Sequence, residues 1–124
     1  EETPKLRELV ATEITVLQRC LNDNVIAYVD SFSNSKNVYI MMESAMAANG
    51  TVPSQEGWSF AIGLAVEFLR QILNGFRVML SANVGAHEVG ALHRDFKAAN
   101  ILLHNGTAKM ADLGFTTILK NKVV

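Results

Sequence analysis

His93, Arg94, Asp95, Lys97 and Asn100 crowd one short stretch, and Asp112 follows a little further on. Two aspartates and an asparagine offer hard oxygen atoms of the kind that Mg²⁺ prefers. Lys97 would neutralise anionic oxygens held among them. After Asn100 the chain turns abruptly apolar as "ILL", meets turn residues at "HNG", and returns as "AKMA". A hairpin over these residues would fold Asp112 back toward Asp95. Such a cluster suits metal-assisted handling of a phosphate. A solvated charged loop is the common explanation of a charge run, and no single one of these residues exceeds it. Their combination and order do.

Positioning the cluster requires flanking elements, and the chain supplies them. Leu6, Leu9, Val10, Ile14, Leu17 and Leu21 recur at helical spacing and predict a helix over 4–21. Thr3 suits its cap and Pro4 its first position. Glu13 falls within the apolar stripe. It is either a stripe-edge carboxylate that reaches water or a half-buried acid that needs a basic partner. Residues 25–32 and 37–43 are rich in Val, Ile, Tyr and Phe and predict an antiparallel hairpin, with "SNSKN" as its turn. Residues 47–54 predict a loop. A second helix is predicted over 58–80, started by Trp58, with Ile62, Val66, Leu69, Ile72, Leu73, Phe76 and Leu80 as its apolar face. Gly75 inside it costs about 1 kcal/mol against alanine. Residues 81–91 hold two glycines without periodicity and predict a loop. Short strands are predicted at 101–103 and 108–111. The order of helix, hairpin, helix, charged loop and hairpin is α+β.

Bulk properties exclude several functions. The chain has 124 residues, suiting one small domain or a piece of a larger one, and 49% are hydrophobic, so it is globular. Its net charge is −1, which gives no reason to expect nucleic acid or an anionic membrane as partner. The longest apolar window, "FAIGLAVEFL", is too short for a membrane span and carries Glu67. Cys20 is the single cysteine, which excludes an internal disulfide and points to a reducing compartment, with a cytoplasmic location expected. Cys20 reads as a packing residue. His87 and His104 share no zinc-ligand spacing with it. Met41, Met42 and Met46 read as core and pocket lining.

"HRDFKAAN" followed by "DLG" resembles the catalytic loop and metal-binding motif of eukaryotic protein kinases. "ATEITVLQRC" resembles the helix bearing the kinase ion-pair glutamate, here Glu13. "NVIAYVDSF" and "NVYIMME" resemble the two strands that follow, and "FLRQILNGF" resembles the long helix before the catalytic loop. The resemblance spans nearly the whole chain. It implies a fragment of the two-lobed protein kinase fold: the end of the N-lobe over 1–42, a hinge at 43–46 and the start of the C-lobe over 47–124. It implies a serine/threonine kinase using ATP and Mg²⁺ on a protein hydroxyl, since tyrosine kinases rarely place lysine at Lys97. By the same resemblance Asp95 would accept the substrate proton and Lys97 would neutralise the transferring phosphoryl group. Asn100 and Asp112 would hold Mg²⁺. Met42 would be the gatekeeper, Glu43 and Ala45 would belong to the nucleotide-binding hinge, and Leu102 would pack against adenine. Glu13 would pair with a lysine on an earlier strand, and Arg94 with an activation-loop phosphate. His93, Leu113, Tyr28 and Leu17 would form a column between the lobes. "HRDFKAANILLHNG" with "ADLGF" also resembles kinases related to the autophagy-initiating group.

The chain departs from the family's pattern in three ways. The glycine-rich loop and ATP-anchoring lysine come before Glu1 in the family's order. The "APE" segment and the helical bulk of the C-lobe come after Val124. The stretch between "QILNGF" and "HRD" is longer than usual, with the extra piece near 79–85. Both ends therefore read as cuts, and the chain alone is expected to be marginally stable, aggregation-prone and without phosphoryl transfer. A catalytically inactive kinase-like binding module and a truncated gene remnant are the competing readings.

Overall fold

The computed structural model describes residues 4–47, 58–82 and 88–120. Helix α1 runs Pro4–Arg19, followed by the antiparallel strands β1 (Tyr28–Ser33) and β2 (Val38–Met42). Strand β3 (Met46–Ala47) leads toward helix α2 (Trp58–Ser81). Strand β4 (Glu88–Leu92) precedes a 3₁₀ turn at Ala98–Asn100, then β5 (Ile101–His104), β6 (Thr107–Met110) and β7 (Thr117–Lys120). The strands form three small antiparallel sheets, β1–β2, β3–β5–β6 and β4–β7. Mixed helix and sheet in this order is the α+β class.

One core joins these pieces. Val16 and Leu17 of α1, Val25 and Ile26 of the following loop, Met79 of α2, Met110 of β6 and Leu113 pack together fully buried. Burying each side chain of this size contributes about 1.5–3 kcal/mol. The loop after α1 is laced to β6: Ile26 N–H donates to Met110 C=O and Met110 N–H to Asn24 C=O, both at 2.9 Å. Asn24 Nδ2 donates to Ala108 C=O, and Asn74 Nδ2 of α2 donates to Asn24 Oδ1. α2 meets this seam through Gly75. A Cβ there would lie 2.7 Å from both Asn24 O and Met110 Sδ, so the glycine admits close packing rather than merely weakening the helix.

Several expectations are corrected. α1 stops at Arg19, and Leu21, placed in its stripe, is 79% exposed, while Val16 takes the buried position. Residues 25–27 leave the hairpin because Val25 bridges to Met110 in parallel. Residues 88–91 are not loop: β4 pairs with β7, itself unforeseen. Gly90, at φ +141, marks a register shift in β4 and passes so close to Leu80 O that any side chain would collide. That irregularity removes the alternation by which a strand is recognised. Met41, Met42 and Met46 are exposed, not core. Ala47, assigned to a loop, pairs with Leu102. α2 begins at Trp58 as expected, but Ile62, Val66, Leu69, Leu73 and Leu80 of its apolar face are exposed. Ile72 and Phe76 of that face do turn inward, joined there by Gly75 and Met79. Thr3, the side chain of Trp58 and residues 48–54 and 83–87 lie outside the described residues.

Candidate functional site

The charged stretch from His93 to Asn100 lies between β4 and β5 and is held by its own polar groups. His93 is buried, and its Nδ1 accepts the Asp95 N–H at 3.2 Å. That leaves the proton on Nε2, which donates to Ala111 C=O at 2.9 Å. Asn100 is buried too, and its Nδ2 donates to Asp95 C=O at 2.9 Å and to Asp95 Oδ2 at 3.3 Å. Lys97 Nζ stands 3.3 Å from the same Oδ2. Phe96 packs edge-on against Phe76, with ring centroids 4.9 Å apart, and ties the loop to α2. Asp95 thus has a fixed backbone and a partly exposed carboxylate beside an exposed ammonium. Such a group can accept a proton from a hydroxyl laid against it.

The β5–β6 hairpin does bring Asp112 back. Asn100 C=O accepts Ala111 N–H at 2.8 Å, and Ala111 C=O accepts from His93. The residue before Asp112 is therefore pinned to both ends of the charged stretch. Asp112 itself has φ +56, a left-handed conformation that aspartate tolerates, and its carboxylate is exposed. Among the described residues it makes no ion pair or hydrogen bond. The Asn100 amide nitrogen is spent on Asp95, which leaves Oδ1 to accept. An amide oxygen and a free carboxylate form an all-oxygen donor set that fits Mg²⁺, with the remaining positions left to water and phosphate.

Glu13 extends from α1 to the same neighbourhood. A Cβ on Gly114 would lie 3.4 Å from Asp112 Oδ1 and 3.6 Å from Glu13 Oε2, so the two carboxylates converge on that glycine. Burial, and then the negative charge of Asp112, push the Glu13 carboxyl above its ordinary range. Glu13 is neither a freely solvated edge residue nor paired with a base among the described residues.

Arg94 adopts φ +63, a conformation that costs a non-glycine residue on the order of 1–3 kcal/mol. Its Nε donates to Phe115 C=O at 2.8 Å, which carries the guanidinium to the segment after Asp112. Leu17 and Leu113 share the core and Tyr28 packs against it. Leu102 packs partly buried against the same core, as does Ala45. Met42 is exposed at the end of β2, opposite Tyr28. Glu43 turns its side chain onto Lys109 Nζ at 2.9 Å. Lys109 is the functional candidate that sequence reasoning missed. Its only signal was an acid placed directly after an apolar strand.

The protein kinase domain model matches residues 1–124. The chain belongs to the eukaryotic protein kinase family. This kinase segment is 30% identical to a probable serine/threonine-protein kinase of Dictyostelium discoideum, over 85% of the chain and 16% of that relative. It is 30% identical to the serine/threonine-protein kinase STE20 of Debaryomyces hansenii, over 93% of the chain and 10% of the relative. It is 28% identical to mitogen-activated protein kinase kinase kinase 1 of Arabidopsis thaliana, over 87% of the chain and 17% of the relative. The kinase segment thus spans less than a fifth of these relatives. The match is to serine/threonine kinases, and no group within them, the autophagy-initiating one included, is singled out. Among the described residues no helix is long and apolar enough to cross a membrane.

Proposed function

We propose that this chain carries the phosphoryl-transfer centre of a protein serine/threonine kinase working in the cytoplasm, where the lone thiol would stay reduced. The observation that carries the reading is the clamp of Asn100 on Asp95, with Lys97 beside the same carboxylate. ATP is the phosphoryl donor and a protein serine or threonine hydroxyl the acceptor. The hydroxyl oxygen bonds to the γ-phosphorus as the bond to the β–γ bridging oxygen breaks, and ADP leaves. Asp95 orients the hydroxyl and takes its proton. Lys97 sits where it can neutralise the phosphoryl oxygens. Asn100 and Asp112 would hold Mg²⁺, which when bound offsets charge on the phosphates. The lobe boundary falls at residues 43–46, where Glu43 and Ala45 flank the adenine and Leu102 supports it. Met42 would stand at the back of that slot, and Glu13 would orient a phosphate-binding lysine.

The test is phosphoryl transfer by the full-length protein that carries this chain. Asp95→Asn keeps the shape of the side chain and removes the base. Loss of a positioned general base lowers kcat by about 10²–10⁴-fold. Unchanged turnover in Asp95→Asn would overturn the reading. A parent that binds ATP without any turnover would favour the inactive binding module.

A further inference from the structure

Lys109 takes no part in the chemistry above, yet its side chain is only 8% exposed. A buried ammonium is costly unless paired and hydrogen-bonded. Its Nζ meets both conditions, lying 2.9 Å from Glu43 Oε1 and donating to Asp23 C=O at 2.8 Å. The same Glu43 oxygen accepts the Ala27 N–H at 2.8 Å, and the Glu43 N–H donates to Ala27 C=O at 2.9 Å. Glu43 is therefore fixed through its side chain and its backbone together, at the head of residues 43–46. The far end of that segment is fixed by the pairing of Met46 with Leu103. Lys109 also stands directly across β5–β6 from Leu102, so both side chains leave the same face of the hairpin. A single lysine joins the connecting segment, the loop after α1 and the strand pair that bears Leu102.

We propose that Lys109 is a positioning residue for the nucleotide: acting through Glu43, it sets the backbone of residues 43–46 against Leu102 and so fixes the slot that receives the adenine ring. The proposal rests on the ATP reading above. Glu43 then serves as a fastener, because its carboxylate is engaged by Lys109 and Ala27. Burial alone would push that carboxyl up, but the Lys109 and Ala27 hydrogen bonds and the Lys109 and His104 charges bring it below its ordinary range. Glu43 is thus a carboxylate near neutral pH. Removing Glu43's charge would leave the buried Lys109 ammonium uncompensated, so the two side chains hold their geometry as a unit.

The experiment measures KM for ATP, kcat, and inhibition by adenosine in the full-length protein and in Lys109→Met. The expected result is an ATP KM raised about tenfold with kcat within about twofold, and an adenosine Ki raised by the same factor. Inhibition by inorganic triphosphate, which has no adenine, should not move. Glu43→Gln keeps an oxygen for the Ala27 N–H and removes the charge. It should raise both constants similarly, and the double variant should lose no more than the worse single one. Lys109→Arg should recover part of the loss. If Lys109→Met fails to fold, Glu43→Gln and Lys109→Arg carry the test. An ATP KM within twofold of the parent in the folded variants, or equal losses for adenosine and triphosphate, would overturn the proposal. A parent without ATP dependence would instead remove the reading beneath it, and the proposal with it.

Discussion

Glu13 and Glu43 are carboxylates driven in opposite directions, and each has a consequence with pH. Glu13 is raised above 4.5 by burial and by Asp112. Between 4.5 and its folded value, the folded state keeps a proton that the unfolded state has lost. Stability therefore falls as pH rises through that window, and the penalty is complete only above the folded value. Glu13→Gln should raise the unfolding midpoint of this chain at pH 7, with the gain disappearing below 4.5. Thermal melts of both proteins across pH 4 to 8 would check this, and a lower midpoint for Glu13→Gln at pH 7 would contradict it. Glu43 has the opposite sign. Its contribution is present above 4.5 and is lost as pH falls through its lower folded value. Cys20 stays out of this range, since burial pushes its thiol up to about 11 and keeps it protonated. It acts as the packing residue its sequence position suggests.

Elements succeed or fail here by the contacts that glycine permits. β4 lies against the end of α2, and a Cβ on Gly90, at φ +141, would collide with Leu80 O. Gly90→Ala should destabilise the chain by about 3 kcal/mol, the sum of backbone strain and overpacking. Denaturant unfolding would give the loss, and hydrogen exchange should show protection falling first in β4 and β7. Undisturbed protection there would disprove the assignment of close packing. The same glycine explains what the sequence concealed. α1, α2, the β1–β2 hairpin and the β5–β6 hairpin were legible because each carries its own period or its own turn. β4 was not, because its register shift breaks alternation and its partner β7 lies far along the chain. Asp95, Lys97, Asn100 and Asp112 were legible from type and order. The Glu43–Lys109 pair was not, since β6 buries Ala108, Lys109 and Met110 alike and leaves no polar face to read.

The molecule as a whole leaves much apolar surface uncovered. Val29, Phe32, Val38, Tyr39, Met41 and Met42 are exposed on the β1–β2 hairpin, although Phe32 and Tyr39 stack as cross-strand partners at 4.9 Å. A two-stranded sheet also offers unpaired backbone along its edges. Between that hairpin and α1 lies a cleft of about 700 Å³ whose apolar walls include Leu6, Val10, Ile14, Phe32 and Val38. On α2, Leu69 and Leu73 stand one turn apart, each more than half exposed. Clustered exposed apolar side chains are commonly covered by protein or drive association. The purified 124-residue chain should therefore self-associate. Its sedimentation coefficient should rise with concentration, and Leu69→Gln with Leu73→Gln should weaken that dependence while leaving the core of Leu17, Met79 and Met110 intact. The cost in stability should stay within about 0.5 kcal/mol, because both side chains already face water. A parent that sediments as a monomer at every concentration would show that these faces do not attract one another. Equal association by the variant would instead assign it to the hairpin edge, where Phe32→Lys is the next substitution to make.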